Sequence, residues 1–314
     1  MAKAKEITGI DCAAEALLWA AEVLRVRFEE VLDARGAALD FSDIEGVHQM
    51  RVATRRLRSA LRDFTPLMNK RPSKRLRKEL KRLADALGAV RDQDVAIAAL
   101  EALQTEAETD SIKTGIGRII AERNRLREAA QTDLTDALAP HNLDDLHIRF
   151  SAAIDKAARQ KKSKRTVSFS EAGRAAVADG LDDLGDLGAS LYEPFSVEPL
   201  HEMRIAAKRL RYAVELFTAC WGEKIASFAE EVAELQTLLG EVHDSDVWIE
   251  NLSERLRGFQ KKAAPEKDDF QTAAWLMSEF VKTRTKNYRA ALRLWSEWET
   301  NDFAGRMRTI VETA

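Results

Sequence analysis

Apolar residues recur every three or four positions along nearly the whole chain, the spacing of helices that bury one face. The pattern predicts helices near 11–38, 47–64, 71–105, 111–138, 170–190, 200–219, 223–256 and 269–312, the third either continuous or broken around 88–92. No run of alternating β-branched residues bounded by turn signals stands out, so no strand is predicted. Four long helices in each half, joined by short connections, predict an all-α protein of two four-helix bundles.

The two halves repeat each other. Residues 47–64, VHQMRVATRRLRSALRDF, return at 200–217 as LHEMRIAAKRLRYAVELF, with nine of 18 positions identical. Upstream, Phe41, Ser42 and Glu45 are matched by Phe195, Ser196 and Glu198; downstream, LGAVRDQDV at 87–95 is matched by LGEVHDSDV at 239–247. A period of about 150 residues is a domain duplication and not a solenoid of short repeats. The boundaries that follow are a first bundle over 11–150, a basic linker over 151–169 centred on RQKKSKR, and a second bundle over 170–314.

Composition narrows the picture without naming a partner. A hydrophobic share of 45%, a charged share of 32% and few Pro and Gly suit a soluble helical protein. With 49 basic against 52 acidic residues the bulk charge is nearly balanced, so only its distribution can point to a ligand. Asp11, Glu15 and Glu22 interrupt the N-terminal apolar run, which reads as an amphipathic helix and not a leader. No stretch approaches the roughly 18 apolar residues of a membrane span. Cys12 and Cys220 lie far apart and outside any metal-ligand spacing, which predicts two free thiols in a reducing cytosol and no disulfide.

The distribution of charge carries the functional signal. At about 100° per residue, His48, Arg51, Arg55, Arg58 and Arg62 share one face of their helix, and Met50, Ala53, Leu57, Leu61 and Phe64 share another. In the second copy His201, Arg204, Lys208 and Arg211 fall together opposite the same kind of apolar face. From His48 to Arg62 the cationic line spans about 21 Å. Residues 47–82 hold thirteen Lys or Arg against only Asp63 and Glu79, including Lys74, Arg75, Lys78 and Arg82 on the next helix. Like charges one turn apart are unfavourable, roughly 0.2–0.5 kcal/mol per pair. An extended polyanion is the natural complement, because guanidinium groups donate paired hydrogen bonds to phosphate and stay charged. The stripes carry no aromatic residue for base stacking and no Asn or Gln for reading bases, which favours a ligand of phosphate alone over nucleic acid.

The doubled HQMRVATRRLRSAL and HEMRIAAKRLRYAV, each followed by LG-x-V-x-D-x-D-V, resembles the two halves of a CHAD domain, the conserved histidine α-helical domain. The resemblance covers almost the whole chain. It implies two pseudo-symmetric four-helix bundles around a central basic pore or groove that binds inorganic polyphosphate, in a cytoplasmic protein associated with polyphosphate granules. Carried over residue by residue, the binding positions are His48, Arg51, Arg55, Arg56, Arg58, His201, Arg204, Lys208, Arg209 and Arg211. Arg56 and Arg209 sit off the stripe, where an ion pair within the protein is the competing role. The copies also differ: Glu215 replaces Arg62, and residues 223–256 carry nine acids against two bases, so the first half is expected to bear more of the binding. Lys282, Lys286, Arg289 and Arg293 form a further cationic face on the last helix; Arg118 and Arg125 are the candidate counterparts.

The remaining chemistry is weaker. His48 and His201 sit near helix starts, where they could touch phosphate, make structural hydrogen bonds or, as the enzymatic alternative, carry a phosphoryl group. Asp92, Asp94, Asp244 and Asp246 are read as helix caps or as acids orienting arginines, not as magnesium ligands. His243, present in one copy only, reads as incidental. His141 and His147 lack a second ligand, and Trp221, Trp275, Trp295 and Trp298 read as packing. No GxxxxGK[ST] loop is present. The expected protein therefore has no cofactor, metal or membrane partner and acts as a binding module. The alternatives are a polyphosphate-processing enzyme using His48 or His201, and a binder of nucleic acid or an acidic protein.

Overall fold

The structure is a computed structural model and describes residues 4–68, 70–159, 166–260 and 267–313. Its elements in order are α1 (Ala16–Asp33), α2 (Arg35–Ala38), α3 (Ile44–Asp63), α4 (Lys70–Glu106), α5 (Asp110–Ala137), α6 (Pro140–Ala158), α7 (Phe169–Asp186), α8 (Val197–Trp221), α9 (Glu223–Gln260), α10 (Lys267–Thr300) and α11 (Phe303–Thr313). Among the described residues no strand forms; Glu15 and Ser168 make an isolated antiparallel bridge.

Two compact units divide the chain, but not at a single point: the first holds residues 1–98 and 122–175, the second 99–121 and 176–314. The tip of the α4–α5 hairpin thus belongs to the second unit and its base to the first. In the first unit α1 packs on α6, where Phe28 meets Phe150 at 4.7 Å between ring centroids and stacks on His147 at 5.1 Å. In the second, Trp298 stacks on Phe303 at 4.0 Å and Trp248 on Phe280 at 5.0 Å. Trp221 and Trp298 are core residues.

Several sequence expectations change. Helix α6 was not predicted: the stretch around His141 and His147 reads as a Pro-containing turn, yet Pro140 stands in the first turn of the helix, where its missing N–H has no partner to lose. Leu143, Leu146, Phe150, Ile154 and Ala157 bury its inner face. Residues 151–158, expected in the linker, are its last two turns, and residues 160–165 of the basic run lie outside the described residues. Helix α4 runs unbroken through 88–92. The last predicted helix is two, because Asp302 takes a left-handed φ of 52° and accepts the Gly305 N–H at 3.2 Å. A Cβ on Gly305 would fall 2.1 Å from Asp302 Oδ2, so any side chain there would displace the carboxylate that caps this turn.

Cys12 and Cys220 are not free thiols; both are disulfide-bonded. The argument from free thiols to a reducing compartment therefore loses its support. Among the described residues no helix is long and apolar enough to cross a membrane.

Candidate functional site

Helix α3 begins at Asp43, whose side chain accepts the Glu45 N–H at 2.9 Å. Val47, Met50, Ala53, Leu57, Ala60 and Leu61 are buried, which turns His48, Arg51, Arg55, Arg56, Arg58 and Arg62 to half-buried positions. Three of them, Arg51, Arg55 and Arg58, line an open cavity of about 470 Å³ whose other wall is Ala84, Asp85, Gly88, Ala89 and Asp92 of α4. Burial pushes the Arg58 guanidinium below its usual range; Asp85 counters that and Arg77 adds to it. The group stays charged, since an arginine does not deprotonate in a protein. Arg62 is turned to Asp63, which it meets at 2.6 Å.

The position of Gly88 sorts the basic residues of α4. At 100° per residue, Lys74, Arg77 and Lys81 lie within about 40° of Gly88, Lys78 about 80° away, and Arg82 and Arg75 about 120° and about 140° away. All six are exposed, with Arg75 donating to Glu79 at 3.2 Å and Lys81 to Asp85 at 2.7 Å. Arg77 and Lys81 were missed in the sequence because the phase was set on Lys78 and Arg82. In the second copy the positions matching Lys74, Arg77 and Lys81 are Ala226, Ala229 and Ala233, and Glu241 stands where the first copy has Ala89, so that wall carries acids without the cations.

The second stripe is arranged differently. His201, Arg204 and Lys208 are half-buried and Arg209 is exposed, 3.6 Å from Asp183. Arg211, assigned to ligand binding from the sequence, is only 2% exposed. It donates to Glu215 at 2.7 Å and to Gln236 at 3.1 Å, and lies 5.0 Å from the Tyr212 ring centroid. Gln236 replaces Ala84 and supplies an acceptor where the first half leaves space. His201 and Arg209 line a different cavity, of about 480 Å³, with Asp183, Asp186, Glu198 and Glu202 around it. Those carboxylates make it a poor seat for a polyanion.

The histidines also differ. His48 Nδ1 is buried and meets no hydrogen-bond partner among the described residues. Burial first, then the charges of Arg91, Arg55 and Arg51, lowers its pKa. His201 is lowered by burial and by Arg204. Its Nδ1 lies 3.0 Å from Nδ1 of His243, so one ring donates and the other accepts. His243 is pushed down to about 4, by burial and then by Arg204, His201 and Lys208. His243, read as incidental, therefore faces the motif histidine, and the repeat aligned it with Arg91.

The paired aspartates have a clear role in one member of each pair. Asp94 is buried and accepts from Arg127 Nε at 2.6 Å, while Arg127 Nη2 reaches the Phe41 carbonyl at 3.3 Å. Asp246 accepts from Arg284 Nε, and Arg284 Nη2 reaches the Pro194 carbonyl at 2.7 Å. Phe41 and Pro194 each lie seven residues before the motif histidine. Each clamp thus ties the segment entering the cationic helix to two neighbouring helices. Matching Arg127 with Arg284 sets Arg125 opposite Lys282, an alignment the sequence left open, and Arg118 falls outside it. Lys282, Lys286, Arg289 and Arg293 are exposed on α10, as is Arg125 on α5.

The CHAD domain family model matches residues 22–253, most of the chain. The chain belongs to the CHAD domain family. That family is linked in general to polyphosphate binding. Over 224 residues the chain is 30% identical to the uncharacterized protein Rv2226 of Mycobacterium tuberculosis, covering 66% of this chain and 40% of that protein. The CHAD fold is also seen in the crystal structure of the CHAD domain from the plant Ricinus communis, with a TM-score of 0.71 and 23% identity over 92% of this chain and 95% of that one. PptA from Streptomyces chartreusis gives a TM-score of 0.65 at 13% identity, over 90% of this chain and 100% of its own.

Proposed function

We propose that this CHAD protein binds inorganic polyphosphate, chiefly along the α3–α4 groove of its first half. The observation that carries the reading is the cavity bordered by Arg51, Arg55 and Arg58, with Lys74, Arg77 and Lys81 on the groove side of the facing helix. A linear phosphate chain supplies a charge at every step, releases counterions as it binds and asks for no base stacking. The acidic wall and buried Arg211 of the second half leave Arg204 and Lys208 a lesser share. Association with polyphosphate granules and action as a binding module without catalysis belong to the same proposal.

Titration with polyphosphates of graded length, beside single-stranded DNA and RNA, tests it. Affinity should rise with phosphate chain length, exceed that for nucleic acid at equal charge and fall steeply with salt. Nucleic acid binding as tightly, or phosphate released on incubation with a divalent metal, would replace this reading with one of its alternatives.

A further inference from the structure

Gly88 sits in the middle of the 37-residue helix α4, where glycine weakens a helix relative to alanine. Among the described residues nothing requires it. Its φ is not positive, and a Cβ built there meets no atom within 4 Å. No neighbouring side chain or backbone needs the space. What borders the position is the cavity: Gly88 lies on its α4 wall, one turn from Asp85 on one side and from Asp92 on the other, facing Arg51, Arg55 and Arg58.

We propose that Gly88 is the floor of the polyanion site, the place where a phosphate group lies against the α4 backbone while the three arginines hold it from α3. The inference rests on the polyphosphate reading and adds where the ligand sits. The main-chain N–H of a mid-helix residue is already bonded within the helix, so Gly88 contributes room and the arginines contribute the donors. Any side chain at 88 would occupy the volume on the central line of that wall. Asp85 and Asp92 repel phosphate at both ends of the wall, which leaves the stretch at Gly88 between them as the favourable position.

The test sets stability against binding. Gly88→Ala should raise the Tm by about 1–3 °C through helix propensity while weakening affinity for long-chain polyphosphate. Gly88→Leu should weaken it by about tenfold or more, with the helical circular dichroism kept. Gly258→Ala, at another helical glycine with nothing within 4 Å, should raise stability and leave affinity unchanged. Wild-type protein that fails to bind polyphosphate would overturn the functional reading and this one with it. Wild-type binding that survives both Gly88 substitutions unchanged would overturn this inference alone, and Gly88→Ala decides the matter if Gly88→Leu does not fold.

Discussion

Arg58 and Arg211 occupy the same position in the repeat, yet Arg58 borders an open cavity and Arg211 is sealed beneath its own helix, held by Glu215 and Gln236. Two acceptors absent from the first half, Glu215 one turn along the same helix and Gln236 on the facing one, separate a core cation from a half-buried one at a cavity. Removing the two side chains should therefore have opposite signatures. Arg58→Ala should lower polyphosphate affinity and reduce the salt slope by about one, with stability nearly unchanged. Arg211→Ala should cost about 1–3 kcal/mol of stability through lost packing and hydrogen bonds, with little effect on binding. Urea titration and salt-dependent binding, measured on both variants, separate the two.

The Asp94–Arg127 clamp makes a second prediction. Arg127→Met leaves Asp94, whose side chain is 1% exposed, as a buried charge without its main partner. The expected loss is about 3–5 kcal/mol. The double variant Asp94→Leu with Arg127→Met should recover much of that loss, because no charge is then stranded. A double variant no more stable than the single one would show that the pair matters for something other than its charge.

The His201–His243 contact sets a pH dependence. His243 titrates near 4 in the folded protein and near 6.5 when unfolded, so the unfolded chain takes up its proton first as pH falls. Its neutral form is compatible with the fold at pH 7. Stability should decline as pH drops from about 6.5 towards about 4 and change no further from this group below that. Protonating both rings would set two N–H groups against each other across the 3.0 Å contact. His243→Gln, which cannot titrate, should show a shallower decline in Tm across that window.

His48 offers the converse at the ligand site. Its pKa is held below the usual imidazole value by burial and by Arg91, Arg55 and Arg51. A bound polyphosphate would neutralise those cations and raise it, so binding should take up protons near and below pH 6.5. Calorimetry in buffers of different ionisation enthalpy measures that uptake. It should shrink in His48→Gln, and an unchanged value there would place the titrating group elsewhere.

The helices were legible because their apolar spacing is a local property, and the stripe on α3 because each cation shares its turn with buried neighbours. What depends on a facing element was not legible. Arg211 is held in part by Gln236 of the facing helix, the role of His243 is set by its approach to His201, and the inward face of α4 by where Gly88 borders the cavity. Pro140 shows the same limit in local form: a proline that opens a helix and one that ends it look alike until the following turns are counted. The disulfide state of Cys12 and Cys220 could not be read from spacing at all.

The division of the α4–α5 hairpin carries a consequence for where the chain can be cut. The duplicated stretch of sequence and the folded unit do not share boundaries, since the chain crosses between units after residues 98, 121 and 175. No single cut excises either one intact. A fragment ending at α6 would carry a hairpin tip without the packing that covers Leu100, Ile116 and Ile119, all buried in the whole chain. The repeat and the compact units are therefore two different partitions of one chain, and a cut placed by the first severs the second.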